Sequence, residues 1–188
     1  MTVCVIIGVP APLLPIHLLW INLVTDGLPA LCLATDPIHS DVMKQPPRAG
    51  RERITDGGFL RTMFLTGALT AGVSFAVYLY ALKFAPELAR TYAFATLVFA
   101  ALLRSFGARS ETRPVWRMNF LSNLNLLLVV AVSFSIQVWS HHNALLAKLL
   151  KTSLIPFSDC LLLLAISTIP LLVLEAIKTL SRRNPAPA

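Results

Sequence analysis

Long runs of residues without charge constrain this chain more than any other feature. Thr62–Leu82 contains 21 uncharged residues, and Met118–Ser140 contains 23. Either run is long enough to cross a hydrocarbon core of roughly 30 Å as a helix. Of the 188 residues, 56% are hydrophobic and only 13% are charged, which is not the composition of a soluble globular domain. The sequence therefore predicts an all-α membrane protein.

Three further segments bring the predicted transmembrane helix bundle to about five spans. The first runs from Pro15 to about Ala34 and is broken near Gly27. Thr91–Leu103 has only 13 uncharged residues, so it is long enough only if the Arg104 side chain extends to the membrane surface. Cys160–Leu174 forms the last span. Together with the two long runs, these segments alternate across the membrane.

The segments around the spans complete the predicted organisation, a single transmembrane domain over residues 1–188. Residues 1–9 are predicted to be the end of a preceding helix, because the chain opens directly in an apolar run. We therefore expect the chain to be a fragment of a larger protein. Lys83–Arg90 is predicted to be a short linker and His141–Asp159 an interfacial segment. Residues 179–188 are predicted to be a short cytoplasmic tail.

The distribution of lysine and arginine predicts the orientation of the bundle. Residues 35–61, residues 104–117 and the C-terminal end carry 12 of these side chains on one side, against four on the other. Basic connections stay on the cytoplasmic side, so these loops and the C-terminus are predicted to be cytoplasmic. The net charge of +7 is thereby explained by topology and by contact with the lipid bilayer. No nucleic-acid partner is expected.

One predicted helix carries polar side chains inside its apolar run. Asn22, Thr25 and Asp26 are spaced i, i+3 and i+4, so they share one face of an α-helix. Gly27 weakens the helix, and Pro29 leaves the carbonyl of Thr25 without its usual helical partner. A broken helix with amide, hydroxyl and carboxylate oxygens on one side suits a hard cation such as Ca²⁺. These three residues are the candidate metal ligands.

Each candidate ligand also has a structural explanation. Asp26 could be a protonated carboxyl group held by a neighbouring helix. Asn22 could bridge two helices, and Thr25 could bond back to its own helix. His17 is expected to face water near the preceding turn rather than to bind metal. Trp20 is expected to pack against other helices or to lie near the membrane interface.

The stretch Leu14–Ala30, which reads LPIHLLWINLVTDGLPA, closely resembles the sixth transmembrane helix of type II P-type cation-transporting ATPases, a group that includes calcium pumps. Asp36-Pro37 and Met43–Arg48 are similar to the loop that follows that helix. Phe106–Glu111 is similar to the end of the family's eighth helix. The number and orientation of the predicted spans agree with helices six to ten. The resemblance therefore covers nearly the whole chain.

This resemblance implies that Asn22, Thr25 and Asp26 donate oxygen ligands to the transported cation, with Ca²⁺ first and Mn²⁺ second. An alignment backwards from Arg109–Glu111 puts Ala101 where two-site calcium pumps carry an acidic ligand, which implies one ion per cycle. The chain lacks the Asp-Lys-Thr-Gly phosphorylation signature and a nucleotide-binding domain. Mg-ATP would therefore bind only in a complete pump. The remaining N-terminal part of that pump is the expected partner.

The leading functional interpretation is thus the C-terminal transmembrane part of a P-type ATPase cation pump, with no catalytic residues of its own and no activity alone. The alternative is a stand-alone, non-catalytic membrane protein, a truncated remnant with a scaffold or regulatory role. An independent channel or secondary transporter fits less well, because only one predicted helix carries a charged side chain within the membrane. Three side-chain oxygens cannot satisfy a cation that prefers six to eight ligands, so weak cation binding is expected of the chain alone.

Overall fold

The computed structural model describes Ile6, Gly8 and residues 10–35, 57–109 and 123–183. These parts of the chain are helical and contain no strand. In chain order the elements are α1 (Pro15–Ile21), a π-helical turn (Asn22–Gly27), α2 (Leu28–Ala34), α3 (Gly57–Phe84), α4 (Pro86–Gly107), α5 (Leu124–His142), α6 (Ala144–Leu150), α7 (Phe157–Ser167) and α8 (Ile169–Arg183).

Five helical stretches are long and apolar enough to cross a membrane. They are Pro15–Ala34, Leu60–Phe84, Pro86–Gly107, Leu124–His142 and Phe157–Thr179, with lengths of 19 to 25 residues. The prediction of an all-α multi-pass membrane protein with about five spans is therefore confirmed. Ile6 is helical, but most of the predicted stub at residues 1–9 lies outside the described residues.

The third span differs most from its predicted bounds. Helix α3 continues to Phe84, Ala85 alone interrupts the helix, and α4 begins at Pro86. The prediction of a linker over Lys83–Arg90 is therefore wrong. Pro86 has the fixed φ that suits the first helical position, and Glu87 in the first turn interacts favourably with the helix dipole. The resulting span has 22 residues instead of 13.

Asparagine side chains begin the next two helices. The Asn123 side chain accepts a hydrogen bond from the Leu126 N–H at 2.9 Å and starts α5. Residues 118–122 of the predicted span lie outside the described residues. The Asn143 side chain accepts in the same way from Leu145 N–H and starts α6, a short helix inside the predicted interfacial segment. Each cap satisfies a backbone donor that has no partner within its helix.

The last span contains two helices, α7 and α8, which meet at Thr168. Pro170 has no N–H for the carbonyl four residues earlier, so the regular ladder stops here. Helix α8 extends the helical structure to Arg183. Residues 184–188 of the predicted tail lie outside the described residues.

Helix α4 lies at the centre of the bundle. One side, with Phe94, Val98 and Leu102 fully buried, packs against α5 and α6. A second side packs Ala95 and Phe99 against α7. A third side packs alanines against Tyr78 and Ala81 of α3. Small side chains allow close approach between membrane helices, and α4 supplies them on several sides, at Ala89, Ala93, Ala95 and Ala100.

Candidate cation site on the first span

The first span changes its helical geometry where the sequence predicts a break. Asn22–Gly27 forms a π-helical turn between α1 and α2. A π turn uses i→i+5 hydrogen bonds, which suits a segment in which Pro29 cannot donate to the carbonyl four residues earlier. A Cβ atom at Gly27 would lie 3.3 Å from the backbone oxygen of Asn22, a tight contact that glycine avoids. Such turns occur frequently at functional sites.

The π turn separates the three candidate ligands into two groups. Asn22 and Asp26 are exposed on the outer side of the span. Thr25 is only 3% exposed and faces the bundle. Its hydroxyl donates to the carbonyl of Ile21 at 2.7 Å and lies 3.4 Å from Oδ1 of Asp26. The structure therefore brings Asn22 and Asp26 to one open face, while Thr25 lies beside them on the inner side.

The open face of the first span is otherwise apolar. Leu19, Leu23 and Leu31 are 63%, 65% and 68% exposed. Within the described ranges, no group of three or more His, Cys, Asp or Glu side chains could hold a metal ion. The amide oxygen of Asn22 and the carboxylate of Asp26 offer at most three oxygens, whereas Ca²⁺ takes six to eight. Further ligands would have to approach from the open side.

His17 lies at the start of this span and is 0% exposed, which contradicts the expectation that it faces water. Its Nδ1 accepts a hydrogen bond from the backbone N–H of Leu14 at 3.2 Å. Its Nε2 therefore carries the proton and donates it to the carbonyl of Leu150 at 2.7 Å. The ring stacks on Phe94, with centroids 4.4 Å apart. Leu150 belongs to helix α6, which covers this end of α1. Local hydropathy gives no information about a contact between such distant parts of the chain.

Trp20 packs inside the bundle, as one of the two alternatives for it predicted. Its indole Nε1 donates a hydrogen bond to Oε1 of Gln137 at 2.7 Å. Gln137 and His141 of α5 are fully buried, and their Nε2 atoms lie 2.9 Å apart. Local sequence patterns predict no role for these two residues. The available signal was Gln137 itself, an amide inside the apolar run Met118–Ser140.

Hydrogen bonds between span ends identify which ends lie together. At one end, the amide of Asn123 donates to the carbonyl of Cys32 at 3.1 Å. The basic segments that follow α2 and precede α5 therefore attach at the same end. At the other end, the backbone N–H of Ser153 donates to the hydroxyl of Thr91 at 2.9 Å. This contact joins the α6–α7 connection to the start of α4.

Comparison with known proteins gives the same assignment over most of the chain. The family model described as "Cation transporting ATPase, C-terminus" matches residues 10–180. The calcium-transporting ATPase of Bacillus subtilis is 37% identical over 185 residues, which cover 93% of this chain and 20% of that protein. Calcium-transporting ATPase 1 of Bacillus cereus is 32% identical over 198 residues, covering 96% of this chain and 22% of that protein.

A mammalian relative extends the similarity beyond bacteria. Calcium-transporting ATPase type 2C member 2 of Rattus norvegicus is 26% identical over 180 residues, covering 94% of this chain and 19% of that protein. The chain thus spans about a fifth of the length of the curated relatives it matches. The sequence resemblance, the five spans and the family match agree: the chain belongs to the cation-transporting ATPases, as a C-terminal membrane region of the type II P-type pumps.

Proposed function

We propose that this chain is the C-terminal transmembrane part of a P-type ATPase cation pump and forms one wall of its intramembrane cation site. The observation that carries the proposal is the exposure of Asn22 and Asp26 on a π turn, on a face that the rest of the described chain leaves open. Polar and ionisable groups inside a membrane segment are costly and mark ion paths. Lipid alone would not satisfy an amide and a carboxylate at midspan.

In this proposal Asp26 is the main charged ligand and Asn22 supplies a neutral oxygen. Thr25 is the third ligand, although its hydroxyl proton is engaged by Ile21 and only its lone pairs are available. The remaining ligands come from the N-terminal part of the pump, which packs against the open face. Such a site, shared between this chain and the N-terminal part of the pump, explains why one face of the first span carries both exposed leucines and two polar side chains.

The transported ion in this proposal is Ca²⁺. The relatives are named calcium-transporting ATPases, and oxygen ligands suit hard cations. Mn²⁺ is the second choice, because it accepts similar oxygen ligands. Mg-ATP binds only to the complete pump, on parts that would lie outside this chain.

The basic loops and the C-terminus are cytoplasmic in this proposal. The grouping of span ends supports it, because Asn123 bonds Cys32 and Lys178 bonds Gly107 at the end where the basic segments attach. A shared end for the lysine- and arginine-rich connections is what the positive-inside rule requires.

A chimera tests the proposal directly. This chain replaces the matching segment of the Bacillus subtilis ATPase, and phosphoenzyme formation from ATP is measured in membranes against free Ca²⁺. The chimera should require Ca²⁺, and Asp26→Asn should raise the required Ca²⁺ concentration by about tenfold or more. Asp159→Asn is the matched control, because Asp159 accepts a hydrogen bond from Tyr92 away from the site. It should leave the Ca²⁺ dependence unchanged.

Two outcomes would contradict the proposal in different ways. If the chimera is phosphorylated and Asp26→Asn matches Asp159→Asn, Asp26 is not a ligand. If the chimera inserts into membranes but never forms a phosphoenzyme, the chain does not act as the pump's C-terminal part. The alternative, a stand-alone scaffold or regulatory membrane protein, would then be favoured.

A further inference from the structure

A chain of buried hydrogen bonds connects the first span to α5. Trp20 lies two residues before Asn22, and its indole donates to Oε1 of Gln137 at 2.7 Å. The amide nitrogen of Gln137 lies 2.9 Å from Nε2 of His141. Gln137 and His141 are each 0% exposed. The three side chains therefore form a polar path through an otherwise apolar interface.

The donors and acceptors of this path follow from the indole. An indole N–H only donates, so the oxygen of Gln137 must face Trp20 and its NH₂ group must face His141. Nε2 of His141 must then accept, which puts the ring proton on Nδ1. In the described part of the chain Nδ1 of His141 is buried and has no hydrogen-bond partner. His141 therefore accepts from the amide, which supports the orientation that the indole of Trp20 imposes on Gln137.

Such a path is more than a packing contact. A buried amide costs free energy unless it is hydrogen-bonded, and a leucine could fill the same space without that cost. Trp20 faces the bundle while Asn22 and Asp26 face away from it. With a rise of about 1.5 Å per residue, the backbone of Trp20 lies only about 3 Å along the axis from that of Asn22. A bond there fixes the rotation of the span just before the π turn.

We propose that Gln137 is a positioning residue for the cation ligands: through Trp20 it holds the rotation of the first span that directs Asn22 and Asp26 to the open face. His141 acts one step further away, by accepting a hydrogen bond from the Gln137 amide and so supporting its orientation. This inference rests on the proposed function, because it assigns Gln137 a role in that same cation site.

The test uses the chimera described above. Gln137→Leu should raise the Ca²⁺ concentration for half-maximal ATPase activity about tenfold, as loss of outer-shell partners does at metal sites. Maximal activity per phosphorylated enzyme should be retained, because no group that touches ATP is changed. Gln137→Glu in its neutral acid form has both an acceptor and a donor, as the amide does. This variant should therefore keep the Ca²⁺ dependence within about twofold of that of the parent chimera. Ser133→Ala is the control, because Ser133 is buried on the same helix and its hydroxyl has no hydrogen-bond partner among the described residues.

A second variant removes the hydrogen bond between Trp20 and Gln137 by changing Trp20. Trp20→Phe keeps an aromatic ring and removes the indole N–H, so it should reproduce the Gln137→Leu effect. The double variant should be no worse than either single variant, because both remove one bond. If Gln137→Leu fails to accumulate, Trp20→Phe still decides the question. Equal Ca²⁺ dependence in Gln137→Leu and Ser133→Ala, or effects that simply multiply, would overturn the inference.

A direct readout on the chain itself separates this inference from the proposed function. In the purified chain in detergent, the indole N–H resonance of Trp20 should shift in Gln137→Leu and stay unchanged in Ser133→Ala. If the resonance does not shift, the bond is absent and the inference fails, whatever the chimera does. If the resonance shifts but the chimera never requires Ca²⁺, the proposed function fails and the positioning role falls with it. If the chimera requires Ca²⁺ and Asp26→Asn raises the required concentration but Gln137→Leu does not, only the inference fails.

Discussion

Lys178 on the last span donates a hydrogen bond to the backbone carbonyl of Gly107 at the end of α4, at 2.8 Å. The same ammonium group lies 2.8 Å from Oε1 of Glu175, a residue that is 1% exposed. A Cβ atom at Gly107 would come within 2.9 Å of Leu171. The Lys178–Gly107 hydrogen bond and the close approach of Gly107 to Leu171 therefore join the central helix to the last span.

Lys178→Met should destabilise the chain by about 1–3 kcal/mol, because the Gly107 carbonyl loses a charged donor and the buried Glu175 carboxyl loses this partner. Lys148→Met is the matched control, since Lys148 is exposed on α6. Its effect should stay within about 0.5 kcal/mol. Unfolding of the purified chain in detergent measures both. Equal effects of the two substitutions would show that the contact contributes nothing.

His17→Phe should destabilise the chain by a similar amount, about 1–3 kcal/mol. The phenyl ring can still stack on Phe94, but the buried carbonyl of Leu150 loses its donor. His142→Phe serves for comparison, because His142 is exposed and its hydrogen bond in the described structure is to the carbonyl of Val138, within its own helix. The same unfolding measurement applies, and a His17→Phe protein as stable as the parent would contradict this account.

Tyr92→Phe removes the hydroxyl that donates to the carboxylate of Asp159 at the start of α7. Because the acceptor is a carboxylate at the edge of the bundle, the expected loss is about 1–2 kcal/mol. Tyr80→Phe is the control: Tyr80 is 68% exposed, and its ring lies next to that of Phe84. Thermal unfolding in detergent compares them. If Tyr80→Phe loses as much stability as Tyr92→Phe, the loss comes from removing a tyrosine hydroxyl in general and not from the bond to Asp159.

Gly27→Ala tests the π turn. Alanine in place of an exposed helical glycine stabilises by about 0.5–1 kcal/mol, which is expected for Gly72→Ala because a Cβ atom there meets nothing within 4 Å. Gly27 has helical φ but a tight contact with the oxygen of Asn22, so Gly27→Ala should give no such gain. In the chimera it should also raise the Ca²⁺ requirement. The same gain at both positions would mean that the turn tolerates a side chain.

Calcium titration of the purified chain on its own should give no binding in the micromolar range. Asn22, Thr25 and Asp26 supply too few oxygens for an ion that takes six to eight. Isothermal calorimetry in detergent measures this, with Asp26→Asn as the reference. Micromolar binding that disappears in Asp26→Asn would mean that this chain completes a site by itself.

The number of spans, the helix break and the family were predictable from the sequence because each depends on local information. Apolar run length indicates a membrane span, and Gly27 with Pro29 indicates a break. The linker at Lys83–Arg90 was predicted wrongly because Lys83, Glu87 and Arg90 interrupt the uncharged residues on either side. Charged residues at helix ends are compatible with a span, since their side chains reach the membrane surface.

The burial of His17 and the bond between Trp20 and Gln137 were not predictable by the same means. These contacts join residues 133 and 117 positions apart in the chain. Periodicity identifies a polar residue within an apolar run, but not the helix that will face it. The π turn similarly decides that Thr25 faces inward, although its spacing from Asn22 predicted a shared α-helical face.

Three hydrogen bonds attach the first span to the rest of the bundle. They involve His17 near its start, Trp20 just before the π turn, and the carbonyl of Cys32 near its end. Tilting or sliding of this span against α5 and α6 would break these hydrogen bonds. The first span is therefore held together with α5 and α6 as one unit.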